Sequence, residues 1–217
     1  MGRYRVLTSE SNCDKIRLAD VEHIQTDGWL ISPVFDEVPQ NVLDYIKKNP
    51  GKRNFVMLDP QGYARMIDDS GVIVIKNEEN LNLKDIDAIK LDTSELGSLS
   101  GGLSGLSGIK KIHDRYGVRF VIHTEEGTIH VSDGDTHYWI NLSHVKSPDS
   151  TGIGDTMCSA FTCTFMKEND VMWAFCFAVG AAAALDSKCR GVEKIPRRSK
   201  VEENGSYYYN MLKYEKL

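Results

Sequence analysis

The sequence predicts an α/β protein built on a mostly parallel sheet with helices on both faces. Three observations carry this. Apolar runs of strand length recur at Trp29–Ile31, Phe55–Leu58, Ala88–Leu91 and Phe120–Ile122. Segments with helical spacing of apolar residues lie between them. Each run stops at a polar residue: Ser32, Asp59, Asp92, and His123 with Thr124. Strands alternating with helices require crossover connections, which set parallel strands side by side and cover both faces. In such sheets ligands bind beyond the carboxyl ends of the strands, where these polar groups collect.

The elements follow in order. The first run leads into Ser32-Pro33 and then a helix carrying Val42, Tyr45 and Ile46 on one face. The second run ends at Asp59-Pro60, and the third at Asp92. Gly97–Gly108 (GSLSGGLSGLSG) is so rich in Gly and Ser that it predicts a loop. A helix with Ile109, Ile112 and Tyr116 is stopped by Gly117. The fourth run ends at His123-Thr124. Thr128–Val131 and Thr136–Ile140 flank Asp133-Gly134-Asp135 and predict a hairpin antiparallel to the main sheet. Beyond Thr151 the chain is helical, to about Lys167, then over Val171–Ser187, then in an amphipathic stretch from about Glu202. Arg197-Arg198-Ser199-Lys200 reads as a solvated turn, and Tyr207-Tyr208-Tyr209 as the contact of the last helix with the body.

Composition narrows the function classes. The 217 residues carry 26 Lys and Arg against 31 Asp and Glu, a formal charge of 26 − 31 = −5. With 41% hydrophobic and 26% charged residues, the chain is neither a disordered tail nor a fibre nor a disulfide-stapled miniature domain. One domain over residues 1–217 is expected, since no linker or long repeat interrupts it. Mild acidity argues against a nucleic-acid partner. The longest uncharged run, Val171–Leu185, has fifteen residues, fewer than the roughly 18 of a spanning helix, so no membrane partner is expected. The start lacks the apolar core of a signal peptide, and Val6 stands where myristoylation needs Ser or Thr. Five cysteines without a CxxC pair fit reduced thiols in the cytoplasm. The six histidines show no metal-ligand spacing and read as scattered.

The segment with chemistry is Asp149-Ser150-Thr151-Gly152-Ile153-Gly154-Asp155-Thr156-Met157. Two glycines directly before a helix let backbone N–H groups turn toward an anion, where the helix start adds partial positive charge. Asp155 inside that nest has two readings. It caps the helix, where Asp is favoured, or it accepts a proton from an attacking hydroxyl. A dinucleotide fingerprint fails because Met157 stands at the third glycine position.

DSTGIGDTMCSAF resembles the DTxGAGDxFxxAF signature of the PfkB-type carbohydrate kinases, the ribokinase-like family. Other segments agree in order: Ser32–Pro39, with its Glu-Val-Pro helix start; Leu58–Arg65, similar to the Asp-Pro-Gln-Gly-aromatic-x-Arg form of the short microbial sugar and inositol kinases; and Lys90–Glu95, where the family has Asn-x-x-Glu. His123–Gly127 and the small-residue helix Ala178–Ala184 match segments along the nucleotide and the adenine pocket. The resemblance covers about residues 1–200. It implies a three-layer α/β/α fold and transfer of the ATP γ-phosphate to a hydroxyl of a small sugar, polyol such as inositol, or nucleoside. Asp155 would be the general base, and the N–H groups of Gly152, Ile153 and Gly154 the anion hole. Glu95 would hold Mg²⁺ through waters; Asp92, Thr124, Gly127 and Thr151 would line the nucleotide. Read on their own, Glu95 is equally a first-turn helix acid and Thr124 a strand-end cap.

Departures from the family pattern are specific. Asp92 replaces the usual Asn, Ile153 the usual Ala, and Val179 and Gly180 occupy the region of a frequent Asn. Met1–Val6 aligns with the Gly-x-Arg stretch that follows the family's lid, so the N-terminal strand and lid are expected to be missing. An exposed sheet edge would result, with a homodimer as one way to cover it. Two rivals follow. One is a catalytically silent nucleotide-binding or regulatory remnant of a sugar kinase. The other is an NAD-binding oxidoreductase, disfavoured by Met157 and by the late position of the glycines.

Overall fold

The computed structural model describes residues 7–8, 11, 13–48, 55–78, 80–142, 151–186, 189 and 191–217. In chain order the elements are α1 (Leu18–Val21), β1 (Gly28–Ile31), α2 (Gln40–Lys48), β2 (Phe55–Leu58), a 3₁₀ turn at Pro60–Gly62, β3 (Arg65–Ile67), β4 (Ile73–Ile75) and β5 (Ala88–Asp92). Then come α3 (Thr93–Ser100), α4 (Gly105–Tyr116), β6 (Phe120–Glu125), β7 (Thr128–Ser132), β8 (Thr136–Asn141), α5 (Ile153–Glu168), α6 (Val171–Ala183), a 3₁₀ turn at Gly191–Lys194, α7 (Arg198–Tyr209) and β9 (Lys213–Lys216). Among the described residues one sheet runs β1-β2-β5-β6-β7-β8-β9, and β3 with β4 forms a separate pair. The first four strands of the large sheet are mutually parallel, and the last three antiparallel.

Period-two alternation divides the strands between two cores. Val56, Leu58, Ile89, Leu91 and Val121 face α2, α3 and α4, meeting Val42, Leu43, Leu96, Leu99, Ile109 and Ile112. Phe55, Met57, Ala88, Phe120 and Ile122 face the other way, against Met157, Phe161, Phe165, Ala174 and Phe175 of α5 and α6. Because both faces are buried, the strands read as unbroken apolar runs. The expected three-layer α/β/α architecture is therefore the one observed, and the hairpin around Asp133-Gly134-Asp135 forms as β7 and β8.

Gly97–Gly108 is not a loop. Residues 97–100 complete α3, and 105–108 begin α4. The reciprocal cap of Asp92 and Glu95 starts α3, and Leu96 and Leu99 bury its inner face. Gly101, at φ 77°, ends it in the left-handed conformation that glycine favours. Gly108 serves close packing, since a Cβ there would lie 2.9 Å from Leu96 Cγ. Tertiary burial thus overrides poor helix propensity.

Arg197-Arg198-Ser199-Lys200 is solvated as expected but helical: Arg197 is the N-cap and Arg198-Ser199-Lys200 the first turn of α7. It is supported by Arg198–Glu202 (2.8 Å) and Lys200–Glu203 (2.9 Å) pairs at helical spacing. Of the three tyrosines, Tyr208 is buried, while Tyr207 and Tyr209 are exposed. Gly180 lets α6 and α7 touch, because a Cβ there would lie 2.6 Å from Gly205 N.

The histidines are not all scattered either. His123, His130 and His137 stack on β6, β7 and β8, with ring centroids 5.7 and 5.1 Å apart, and Trp139 follows at 5.1 Å. Antiparallel register sets His123 opposite His130 and His130 opposite Trp139, with His137 two residues before Trp139 as the diagonal neighbour. Glu125 lies 2.9 Å from His130 Nε2, His130 Nδ1 lies 2.9 Å from His137 Nε2, and His137 Nδ1 lies 3.2 Å from Glu215 of β9. Burial holds His130 below its ordinary value.

Candidate active site

Register places the polar strand ends side by side. Ile31 pairs with Leu58, Leu58 with Ile89, and Asp92 with Thr124. Ser32, Asp59, Lys90, Asp92 and Thr124 therefore line the carboxyl edge of the four parallel strands, and the first turn of α5 lies over part of this row.

That turn begins at Gly152, whose φ of 84° suits glycine and whose side the chain leaves open. Asp155 stands three residues in and is exposed. It does not cap α5; Ser32 donates its hydroxyl to Asp155 Oδ1 at 2.8 Å. The Thr151 carbonyl accepts from the buried Lys194 ammonium at 3.2 Å. Asp149 and Ser150, the start of the motif, and Met1–Val6, aligned with the family's Gly-x-Arg stretch, lie outside the described residues.

The segment carrying Ser32 is braced from three sides. Glu37 accepts the backbone N–H groups of Val34 (3.1 Å) and Phe35 (2.8 Å). Arg65 donates to Val34 O (2.7 Å) and to Gln61 Oε1 (2.8 Å). Gly62 touches it from below, where a Cβ would meet Phe35 O at 2.1 Å. The Asp-Pro-Gln-Gly-x-x-Arg stretch thus builds a support for the loop that presents Ser32 to Asp155.

Beneath the glycine turn lies an ionic group that sequence reasoning missed. Lys90 Nζ is 3.1 Å from Asp59 Oδ2 and 3.8 Å from Glu95 Oε2. All three side chains are nearly dry. Burial raises Asp59 above the usual carboxylate range, with Lys90 opposing. Burial likewise pushes Glu95 up to about 7. Burial also works against the Lys90 ammonium, but Glu95 and Asp59 outweigh it and keep Lys90 above its ordinary value. The signal for Lys90 was a lone charge inside an apolar strand.

Glu95 is a first-turn helix acid in fact: Oε2 accepts the Asp92 N–H at 2.7 Å, and Asp92 Oδ1 accepts the Glu95 N–H at 2.8 Å. Oε1 takes no hydrogen bond from the described residues. Gly127 has φ 76° and turns β6 into β7, so the hairpin alone requires a glycine there. Among the described residues no three His, Cys, Asp or Glu side chains are arranged to hold a metal ion.

Glu95 has a stability consequence. Its pKa is higher folded (about 7) than ordinarily (4.5), so the folded state binds more protons between these values. Its contribution is full below about pH 4.5 and is lost as pH rises toward 7. Melting temperature should therefore fall more steeply across that window in wild type than in Glu95→Gln; parallel pH curves would contradict the assignment.

A parallel sheet flanked by helices on both faces, with its polar groups at the strand ends under a glycine-rich helix start, defines a ribokinase-like α/β fold. Solved structures agree. A pyrophosphate-dependent kinase of the ribokinase family, complexed with a pyrophosphate analog and myo-inositol, superposes with TM-score 0.76 at 23% identity, over 92% of this chain and 71% of that one. Ribokinase from Thermotoga maritima gives 0.64 at 21%, over 82% and 56%. Arabidopsis thaliana ribokinase, complexed with ribose and ATP, gives 0.60 at 22%, over 82% and 55%. No curated protein sequence matches. The chain belongs to the pfkB family of carbohydrate kinases, whose match spans residues 5–194. It is accordingly an enzyme of the kinase class, and no helix among the described residues is long and apolar enough to cross a membrane.

Proposed function

We propose that this chain transfers the γ-phosphate of ATP to a hydroxyl of a small sugar or polyol, with Asp155 as general base. The observation that carries this is the Asp155 carboxylate, exposed beside the Gly152–Gly154 turn and held at 2.8 Å by Ser32 instead of capping its helix. The acceptor hydroxyl gives its proton to Asp155, its oxygen bonds to the terminal phosphorus, and the bond from phosphorus to the leaving phosphate breaks. The N–H groups of Gly152, Ile153 and Gly154 meet the charge on the transferring oxygens, the main task of a protein in phosphoryl transfer. Asp92, Thr124, Gly127 and Thr151 line the donor.

Oε1 of Glu95, which accepts no hydrogen bond from the described residues, fits contact with a Mg²⁺-bound water, since Mg²⁺ keeps much of its hydration. When bound, Mg²⁺ neutralises donor phosphate charge. Glu95→Gln should raise the Mg²⁺ concentration needed for half-maximal activity.

Pyrophosphate is the second donor reading, favoured by the pyrophosphate-dependent structure above. Turnover measured with ATP and with pyrophosphate, against a panel of sugars and polyols, tests both. Donor binding without phosphorylation of any acceptor would leave the silent remnant instead.

We further propose one domain in a cytoplasmic setting, paired with a second copy at the outer edge of β1. Among the described residues that edge has no strand partner, and Leu30 is exposed on it. Sedimentation should show a dimer that Leu30→Lys converts to monomer.

A further inference from the structure

Lys90 has no part in the reaction as derived, yet it stands against the helix turn that carries the proposed base. A Cβ built on Gly154 would lie 3.3 Å from Asp59 Oδ2 and 3.4 Å from Lys90 Nζ, so the ion pair touches the first turn of α5 from below. Gly154 is helical with no positive φ, and its glycine is explained by this contact. Asp59 comes from the end of β2, Lys90 from β5 and Glu95 from α3, so three separate elements converge on one ammonium. The Lys90 side chain is 11% exposed, against 3% and 5% for its two partners.

We propose that Lys90 is the resident cation of the phosphoryl-transfer site: it fills the space between Asp59 and Glu95, positions both carboxylates, and keeps a bare divalent ion from bridging them. The inference rests on the proposed kinase reaction and adds how its metal is admitted. With Oε2 of Glu95 turned to Asp92 N and Lys90, only Oε1 is left without a hydrogen bond from the described residues. One carboxylate oxygen contacting a hydrated ion holds it weakly. The divalent ion is then retained only together with a polyanionic donor, which brings the missing ligands. Removing the ammonium would leave two nearly dry carboxylates, both within 4 Å of where it stood, a pair that draws a cation.

The test uses the full chain and MnCl₂ as probe, with no donor present. Melting temperature should be insensitive to MnCl₂ in wild type and rise with it in Lys90→Met, which should bind Mn²⁺ at least about tenfold more tightly. Adding Glu95→Gln to Lys90→Met should abolish the rise. Equal Mn²⁺ responses in wild type and Lys90→Met would overturn the proposal. Should Lys90→Met not fold, equilibrium dialysis of wild type decides: stoichiometric Mn²⁺ uptake without donor refutes the proposal, and uptake only with pyrophosphate or ATP supports it. None of these readouts depends on turnover. An inactive wild type that follows the Mn²⁺ pattern removes the reaction and leaves Lys90's role, whereas an active enzyme without the pattern does the reverse.

Discussion

Asp155→Asn is expected to lower turnover by about 10²–10⁴-fold while donor affinity and melting temperature stay near wild type. The substitution keeps shape and removes basicity. The amide oxygen that replaces a carboxylate oxygen can still accept the Ser32 hydroxyl, as Asp155 Oδ1 does at 2.8 Å, so the loop and helix remain joined. Asp155 is exposed and makes no cap, so α5 loses only the small attraction of a first-turn carboxylate to the helix start, about 0.3–1 kcal/mol. The loss should fall on the step in which the acceptor's proton leaves, visible as slow single turnover with saturating donor. A matching fall in donor affinity and stability would make Asp155 a structural residue and end its assignment as base.

Gly62→Ala should have the largest effect on stability, about 2–4 kcal/mol. The added methyl would sit 2.1 Å from Phe35 O and 2.7 Å from Pro33 O, both backbone atoms that cannot rotate aside. Either the 3₁₀ turn or the Pro33–Phe35 segment must move. At roughly 2–4 °C per kcal/mol for a chain of this size, the melting temperature falls by about 4–16 °C. Turnover should fall as well, because the displaced segment carries Ser32. Gly97→Ala is the control: nothing lies within 4 Å of its Cβ position, and alanine suits a helix better. Equal stability of the two variants would show that the segment is loose and does not brace the site.

The sheet was legible because its strands are buried on both faces, so Phe55–Leu58 and Phe120–Ile122 announce themselves as apolar runs. The glycine motif was legible because its chemistry is local. What stayed hidden depends on distance in sequence. β9 (Lys-Tyr-Glu-Lys) is exposed throughout and has no apolar rhythm; only its pairing with β8 makes it a strand. β3 and β4 are three residues each and gain order from one another. Gly97–Gly108 misled because composition was read without the burial of Leu96, Leu99 and Ile109. Ser32 could not be tied to Asp155 across 123 positions, nor Lys90 to Asp59 across 31. Such pairings are products of strand order and helix placement.

The stacked imidazoles of β6, β7 and β8 carry a count of hydrogens. Glu125 accepts from His130 Nε2, so a neutral His130 must accept at Nδ1, and His137 Nε2 must supply that hydrogen. The remaining contact, between His137 Nδ1 and Glu215, then has no hydrogen at all if His137 is neutral. Three contacts need three hydrogens, and two neutral rings own two. Burial disfavours placing that third hydrogen as a charge on His130. The last strand is thus seated with every bond made only when the chain of groups from Glu125 to Glu215 holds one hydrogen more than two neutral rings supply.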